Sequence, residues 1–269
     1  MTHPKLDHNT ALVLLARAGY AARALVYLLV GGLATLAVLG QGGDTTGSRG
    51  ALRSVLSAPL GDVLLAIITA GLIAYAIWRS FQALTDADRH GKTPKGLAIR
   101  SGLLASAVSH LLLAGFAISL IMAFGQSGDS NGGSQDAASW LMSQPYGRWL
   151  AAIVGLVFVV IGGAHAFKGW TVQFEDYFDM PSTIRCWAFP VCRIGLVVRG
   201  VVFVVVGGLF MTAAYHIDSS QAGGTAEALN TLREQPFGPW LLGIVAVGLM
   251  AFGVYSLLES LYRQVHPSR

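Results

Sequence analysis

Ionisable side chains are rare inside the apolar stretches of this 269-residue chain, and those that occur there have chemistry to offer. His110 lies deepest, ten positions beyond Arg100 at the edge of its stretch, which is about 15 Å at a helical rise of 1.5 Å per residue. An imidazole at that depth either serves a gate or ligand site or sits in the interior bonded to Ser, Thr or a backbone carbonyl. His165 lies near the end of its own stretch, three positions before Lys168. The two imidazoles therefore differ in height by about 10 Å, which argues against a simple bis-histidine haem between adjacent helices. Arg23, Arg79, Arg199 and Glu259 cluster at the ends of the stretches, and Tyr75 sits one helical turn before Arg79. An Arg199 to Glu259 pair is one reading of these charges, and snorkelling of the long basic side chains to the headgroups is the other.

Catalysis and metal binding find little support. No HExxH or paired CxxC spacing occurs, and Cys186 and Cys192 stand alone with Pro190 between them. The carboxylates lie in loops or at the ends of apolar stretches, so no water-accessible catalytic constellation can be assembled. The expectation is a protein that is not an enzyme, with no catalytic residue, metal or cofactor.

The elements that must position these residues recur. Arg17-Ala-Gly19-Tyr20-Ala-Ala-Arg23 runs into Gly31-Gly32, and Arg193-Ile-Gly195-Leu-Val-Val-Arg199 runs into Gly207-Gly208. An eroded middle copy has Arg100-Ser-Gly102 leading to Ala114-Gly115, with Ser106 in place of the second Arg. Pro59-Leu-Gly61, Pro145-Tyr-Gly147 and Pro236-Phe-Gly238 each open a second apolar run. The unit is a pair of apolar segments used three times, over about 14–86, 97–170 and 190–263, within a single membrane domain spanning 1–269. In this register Tyr27, His110 and Phe203 are equivalent, as are Gln82, Lys168 and Glu259. If the first helices faced the axis between copies, Tyr27, His110 and Phe203 would form a plug or gate.

The composition is 54% hydrophobic and only 12% charged, with a mean hydropathy of +0.58, which describes a polytopic membrane protein. Six stretches reach the roughly 20 apolar residues that a helix needs to cross a bilayer. They lie near 20–40, 63–83, 101–124, 149–167, 195–215 and 240–262, and the first and fifth are open to extension through their Arg-Gly lead-ins. The first is not read as a signal peptide, because it is the counterpart of the segment beginning at Arg193. Small residues recur along these stretches, as expected where helices approach closely in lipid. The fold class is thus an all-α membrane protein: six transmembrane helices arranged as three parallel, pseudo-repeated helical hairpins.

Of 18 Lys and Arg, only Arg49, Arg53, Arg148 and Arg233 fall in the first, third and fifth loops, leaving 14 on the other side. Positive loops stay inside, so both termini are expected in the cytoplasm of a bacterial inner (plasma) membrane. That split absorbs the basic balance and gives a nucleic-acid partner little support. The expected partners are the bilayer, anionic lipid at the cytoplasmic face, and, as an alternative for the basic inner surface, a protein. After each outer loop opening, at Asp44, Asp129 and Asp218, a short amphipathic segment pairs Leu52 with Val55, Ala138 with Leu141 and Leu229 with Leu232. These are surface helices or simple re-entry turns. The inner segment from Trp170 to Trp187, with Phe174, Tyr177 and Phe178, reads as an interfacial belt.

Three tandem two-span units with Arg-x-Gly-[Tyr/Leu]-x-x-Arg, a Gly-Gly in the first helix and Gln-Pro-[Tyr/Phe]-Gly before the second resemble the bacterial membrane family termed domain of unknown function 1206. The resemblance covers roughly residues 14 to 262. The second-helix signature Gly71-Leu72-Ile-Ala-Tyr75-Ala-Ile-Trp78-Arg79 is intact only in the first copy. The resemblance implies six spans in a bacterial inner membrane and supplies no activity. Two functions follow from the residues. One is a membrane binding or assembly module, and the alternative is a small-solute or ion permeation protein using the axis between the three repeats.

Overall fold

A computed structural model of the chain describes residues 8–41, 45–122 and 138–264. The loop openings at Asp44 and Asp129, positions 123–124 of the third predicted span, and Lys5 and Arg269 of the charge count lie outside the described residues. The helices are α1 (His8–Val38), α2 (Ser48–Leu56), α3 (Gly61–Thr85), α4 (Pro94–Met122), α5 (138–142), α6 (Gly147–Trp170), α7 (Ser182–His216), α8 (Thr225–Arg233) and α9 (Gly238–Tyr262). Six of them, α1, α3, α4, α6, α7 and α9, are long and apolar enough to cross a membrane. Helices suit this sequence because each satisfies its own backbone groups where no water can. α1 and α7 do extend back through their Arg-Gly lead-ins.

The six long helices follow one another around a broken ring. Each second helix packs on the first helix of the next copy: α3 on α4, α6 on α7, and α9 back on α1. The closest of these joins are built on small residues. A Cβ placed on Gly200 would lie 2.5 Å from the Gly162 carbonyl oxygen, and one on Gly207 would lie 2.6 Å from that of Gly155. Such proximity is how helices gain contact in lipid, where burying apolar surface offers no advantage. Gly32, Gly115, Gly163 and Gly208, by contrast, face open space.

Within a copy the packing is uneven. In the first copy α1 packs on α3, with the Gly19 Cβ position 2.5 Å from Tyr75 Cα and that of Gly71 2.4 Å from Ala22 Cβ. The third repeats this, with Gly195 against Phe252 and Gly248 against Val198. In the middle copy Gly102 meets nothing, Val157 stands where Gly71 and Gly248 stand and is 48% exposed, and α4 and α6 do not pack along each other. The ring is breached there.

At one end of the ring the amphipathic segments are helices, not bare turns, and they fill it. Leu52, Ala138 and Leu229, equivalent in the three copies, are each wholly buried. Leu52 and Leu229 join one apolar cluster that runs through Val30, Leu72, Val206 and Leu249 of the spanning helices. Each short helix ends in a tight turn whose apolar residue, Leu60, Tyr146 or Phe237, has φ of 59°, 62° or 63°. The glycine that follows is required by contact. A Cβ would lie 2.3 Å from the Leu56 oxygen at Gly61, 2.4 Å from the Met142 oxygen at Gly147, and 1.8 Å from the Arg233 oxygen at Gly238.

At the other, basic end the segment after α6 turns inward. Phe174 and Phe178 are buried against Phe189 and Tyr255, which corrects the interfacial-belt expectation for these two rings. Trp170 and Trp187 remain exposed. The Asp179 amide donates to the Tyr262 carbonyl and the Gln264 amide to the Tyr177 carbonyl, both at 3.0 Å, stitching this segment to the end of α9.

The uneven packing sets an expectation for stability. Gly195→Ala should destabilise by about 1–3 kcal/mol through overpacking, whereas Gly102→Ala should be neutral or slightly stabilising. Thermal unfolding of the two variants in one detergent checks this.

Candidate functional site

Charge enters the ring at its basic end and is drawn largely into one closed circuit. Arg23 on α1 pairs through Nη2 with Oε2 of Glu259 on α9. The other carboxylate oxygen of Glu259 accepts from Arg263 Nη1 at 2.5 Å. Arg263 Nη2 reaches Asp88 Oδ2 at 3.1 Å, and the same oxygen accepts from Gln82 Nε2 at 2.9 Å. Gln82 Oε1 accepts from Arg79 Nη1 at 3.0 Å, and Arg79 Nε donates to the Tyr75 hydroxyl at 2.7 Å. The circuit closes where Arg23 Nη1 donates to that hydroxyl at 2.5 Å, and Arg23 Nε adds Ser256 Oγ at 3.0 Å. Arg23 and Glu259 are 4% and 2% exposed. Arg263, just past the last span, keeps its proton well above the ordinary range: burial opposes the charge, but Tyr20 and the Glu259 and Asp88 carboxylates favour it.

Two expectations are corrected here. Glu259 pairs with Arg23 of the first copy and with Arg263, not with Arg199. Arg23 and Arg199 are buried in the bundle, at 4% and 7% exposure, and do not snorkel. Sequence reasoning misses Tyr20, Asp88, Ser256 and Arg263 as members of this region. The signal that could have found one of them is the spacing of Arg263, a single helical turn after Glu259.

The aromatic positions form joins between copies. Tyr27 meets Phe252 edge-on at 4.8 Å, His110 lies 4.5 Å from Tyr75, and Phe203 meets His165 edge-on at 5.7 Å. In each case a first helix touches the second helix of the preceding copy. His110 Nδ1 donates to the Ser106 carbonyl at 2.7 Å, and His165 Nδ1 to the Ile161 carbonyl at 2.9 Å. Each imidazole therefore closes a bond within its own helix. No group of three or more His, Cys, Asp or Glu able to hold a metal occurs among the described residues.

Arg199 differs sharply from Arg23, its counterpart in the first copy. Its guanidinium sits over three rings, 4.2 Å from the centre of Phe252, 4.6 Å from Tyr27 and 4.8 Å from Phe203. Its Nε and Nη1 are buried and have no hydrogen-bond acceptor among the described residues. The rings offset part of the charge, but the donors remain open, and an open buried donor costs about 1–3 kcal/mol.

The threefold arrangement of these contacts matches the comparison with known proteins. The model of Domain of Unknown Function (DUF1206) matches at residues 18–86, 101–172 and 194–263. The chain belongs to the DUF1206 family. It is similar to "Uncharacterized protein YxxB" of Bacillus subtilis (strain 168), 32% identical over 252 residues covering 93% of this chain and 90% of that protein. No solved structure matches it.

The family's repeat explains why Arg199 is left open. Arg23 and Arg199 are equivalent first-helix positions, so the acceptors of Arg23 have counterparts around Arg199. Counted from the proline of each turn, the residues 16, 20 and 23 positions on are Tyr75, Arg79 and Gln82; Ile161, His165 and Lys168; and Phe252, Ser256 and Glu259. Where Arg23 has Tyr75 in its own copy, Arg199 has Phe252. Where Arg23 has Ser256 and Glu259 across the join, Arg199 has His165 and Lys168. Two hydroxyls and a carboxylate are replaced by an apolar ring, an imidazole and a second cation. Lys168 lies against Tyr177, 5.1 Å from its ring centre.

This contrast sets opposite outcomes for two removals. Glu259→Gln strips Arg23 and Arg263 of their shared charge and should cost about 3–5 kcal/mol. Arg199→Met removes a cation that has no carboxylate and should cost less than about 1 kcal/mol or raise stability. Unfolding midpoints of the variants in detergent, purified free of bound lipid and other ligands, check both.

Proposed function

We propose that this chain is a multi-pass plasma-membrane binding module, not an enzyme, whose helix ring holds an anionic group against Arg199. Arg199 carries the reading: two buried guanidinium nitrogens lack an acceptor among the described residues, at the position where its counterpart Arg23 has three. The surroundings favour an anion, since Arg23 and Arg79 lie within electrostatic reach of Arg199 and Lys168 takes the repeat position that Glu259 holds beside Arg23. The apolar cluster that joins the spanning helices to α2 and α8 supports binding over permeation, because it fills the far half of the bundle with side chains that offer an ion no ligand. The distribution of Lys and Arg, 14 against 4, supports a cytoplasmic basic end with both termini inside.

Native mass spectrometry of protein gently extracted from its own membrane tests the reading. Wild type should carry a bound anionic molecule, and Arg199→Met should lose it while remaining folded. Identical adducts on the two proteins would overturn the assignment. For the orientation, a green fluorescent fusion at the C-terminus should be bright and an alkaline phosphatase fusion inactive; the reverse result would place the basic end outside.

A further inference from the structure

Among the described residues, apolar side chains cover the site at Arg199 in both directions along the ring axis. The far end is filled by Leu52 and Leu229 and their neighbours, and the basic end beside α7 and α9 is covered by Phe174, Phe178 and Met180 packed on Leu196 and Tyr255. The remaining discontinuity is lateral. In the first and third copies, a glycine in the second helix, Gly71 or Gly248, lets it close on its partner. The middle copy has Val157 there, and the counterpart contact glycine, Gly102, stands open. The breach between α4 and α6 therefore opens sideways, and these two helices leave large apolar side chains exposed, among them Leu104, Leu111, Ile153 and Val157. His165, on the α6 side, is within electrostatic reach of both Arg199 and Lys168. Arg199 itself lies six positions beyond Arg193, so its charge sits about 9 Å further along α7 on a 1.5 Å rise.

We infer that the bound species is an anionic amphiphile that enters sideways from the bilayer, with its acyl chain lying in the breach between α4 and α6 and its carboxylate or phosphate accepting from Arg199. The inference rests on the binding reading above and adds the ligand's class and route. An inorganic anion would have to leave water and cross hydrocarbon unpaired, which is heavily penalised. An amphiphile already resides in the bilayer, and its chain replaces the packing that α4 and α6 do not make with each other. Its acid group supplies what Glu259 supplies at the equivalent join.

The experiment uses the full chain in detergent with a photoreactive p-benzoylphenylalanine in place of Val157, and in a control in place of Val247, an exposed position on α9. Oleate and phosphatidylglycerol are the probes, and acetate and inorganic phosphate the competitors. Capture of a probe at position 157 should fall about tenfold or more with Arg199→Met, the change that corresponds to losing a charge-assisted hydrogen bond. Arg199→Lys should restore part of it, and capture at position 247 should not change. Capture of oleate assigns a free fatty acid, and capture of phosphatidylglycerol assigns a phospholipid. Competition by acetate or phosphate at equal concentration would overturn the amphiphile inference while leaving an anion site in place, and capture at 157 that ignores Arg199→Met would overturn the placement of the acid group against Arg199. If none of the four species binds in an Arg199-dependent way, the binding reading falls with it.

Discussion

A guanidinium inside a bundle of membrane helices must find acceptors from other helices, and the basic half of this protein is organised by that requirement. Arg23 recruits α3 through Tyr75 and α9 through Ser256 and Glu259. Glu259 in turn fixes Arg263, whose position holds Asp88 of the α3–α4 connection and the backbone pairing with the segment after α6. One buried ion pair thus joins the first and third copies and orders two connections. Replacing such a pair wholesale with apolar residues is often neutral or stabilising, so its presence here is better explained by the register it imposes on α1, α3 and α9 than by net energy.

The three copies share a backbone scheme and differ in side chains, so each serves as a control for the others. Pro-x-Gly turns recur three times with the same left-handed residue and the same close approach at the glycine. Wholly buried Leu52, Ala138 and Leu229 recur beneath them. Against that constancy the departures stand out. Gly71 and Gly248 become Val157, and the helices of the middle copy part. The acceptors around Arg23 become Phe252, His165 and Lys168 around Arg199, and a guanidinium at the same position loses its hydrogen bonds.

Six spans, three copies and the amphipathic segments are legible in the sequence because each is written locally, in length, periodicity and spacing. Register equivalence is legible too: it groups Tyr27, His110 and Phe203, each of which meets the second helix of a neighbouring copy. The partner of Glu259 is not, because neighbouring elements suggest pairing within a hairpin, as Arg199 with Glu259, whereas the ring brings the last helix back to the first. Nothing local in the sequence marks that closure. The inward turn of Phe174 and Phe178 is hidden for a related reason: an aromatic segment beside charges has the same composition whether it lies on headgroups or caps a core. The positive φ of Leu60, Tyr146 and Phe237 is also unreadable from residue type, since apolar side chains disfavour it. Only the following glycine betrays a tight turn.

A repeat protein can acquire a binding site by leaving one of its joins unfinished. The join between the third and first copies satisfies all three nitrogens of Arg23, with carboxylate and hydroxyls supplied by the chain. The join between the first and second has Ser106 in place of the guanidinium, so it carries no such donor to satisfy. The join between the second and third keeps the guanidinium and omits its acceptors, and it borders the copy whose two helices have separated. A buried donor set without acceptors is destabilising in isolation, and a parted helix pair forgoes packing. The two departures coincide at one side of the ring, where a single ligand with an acid group and a hydrocarbon chain would offset both.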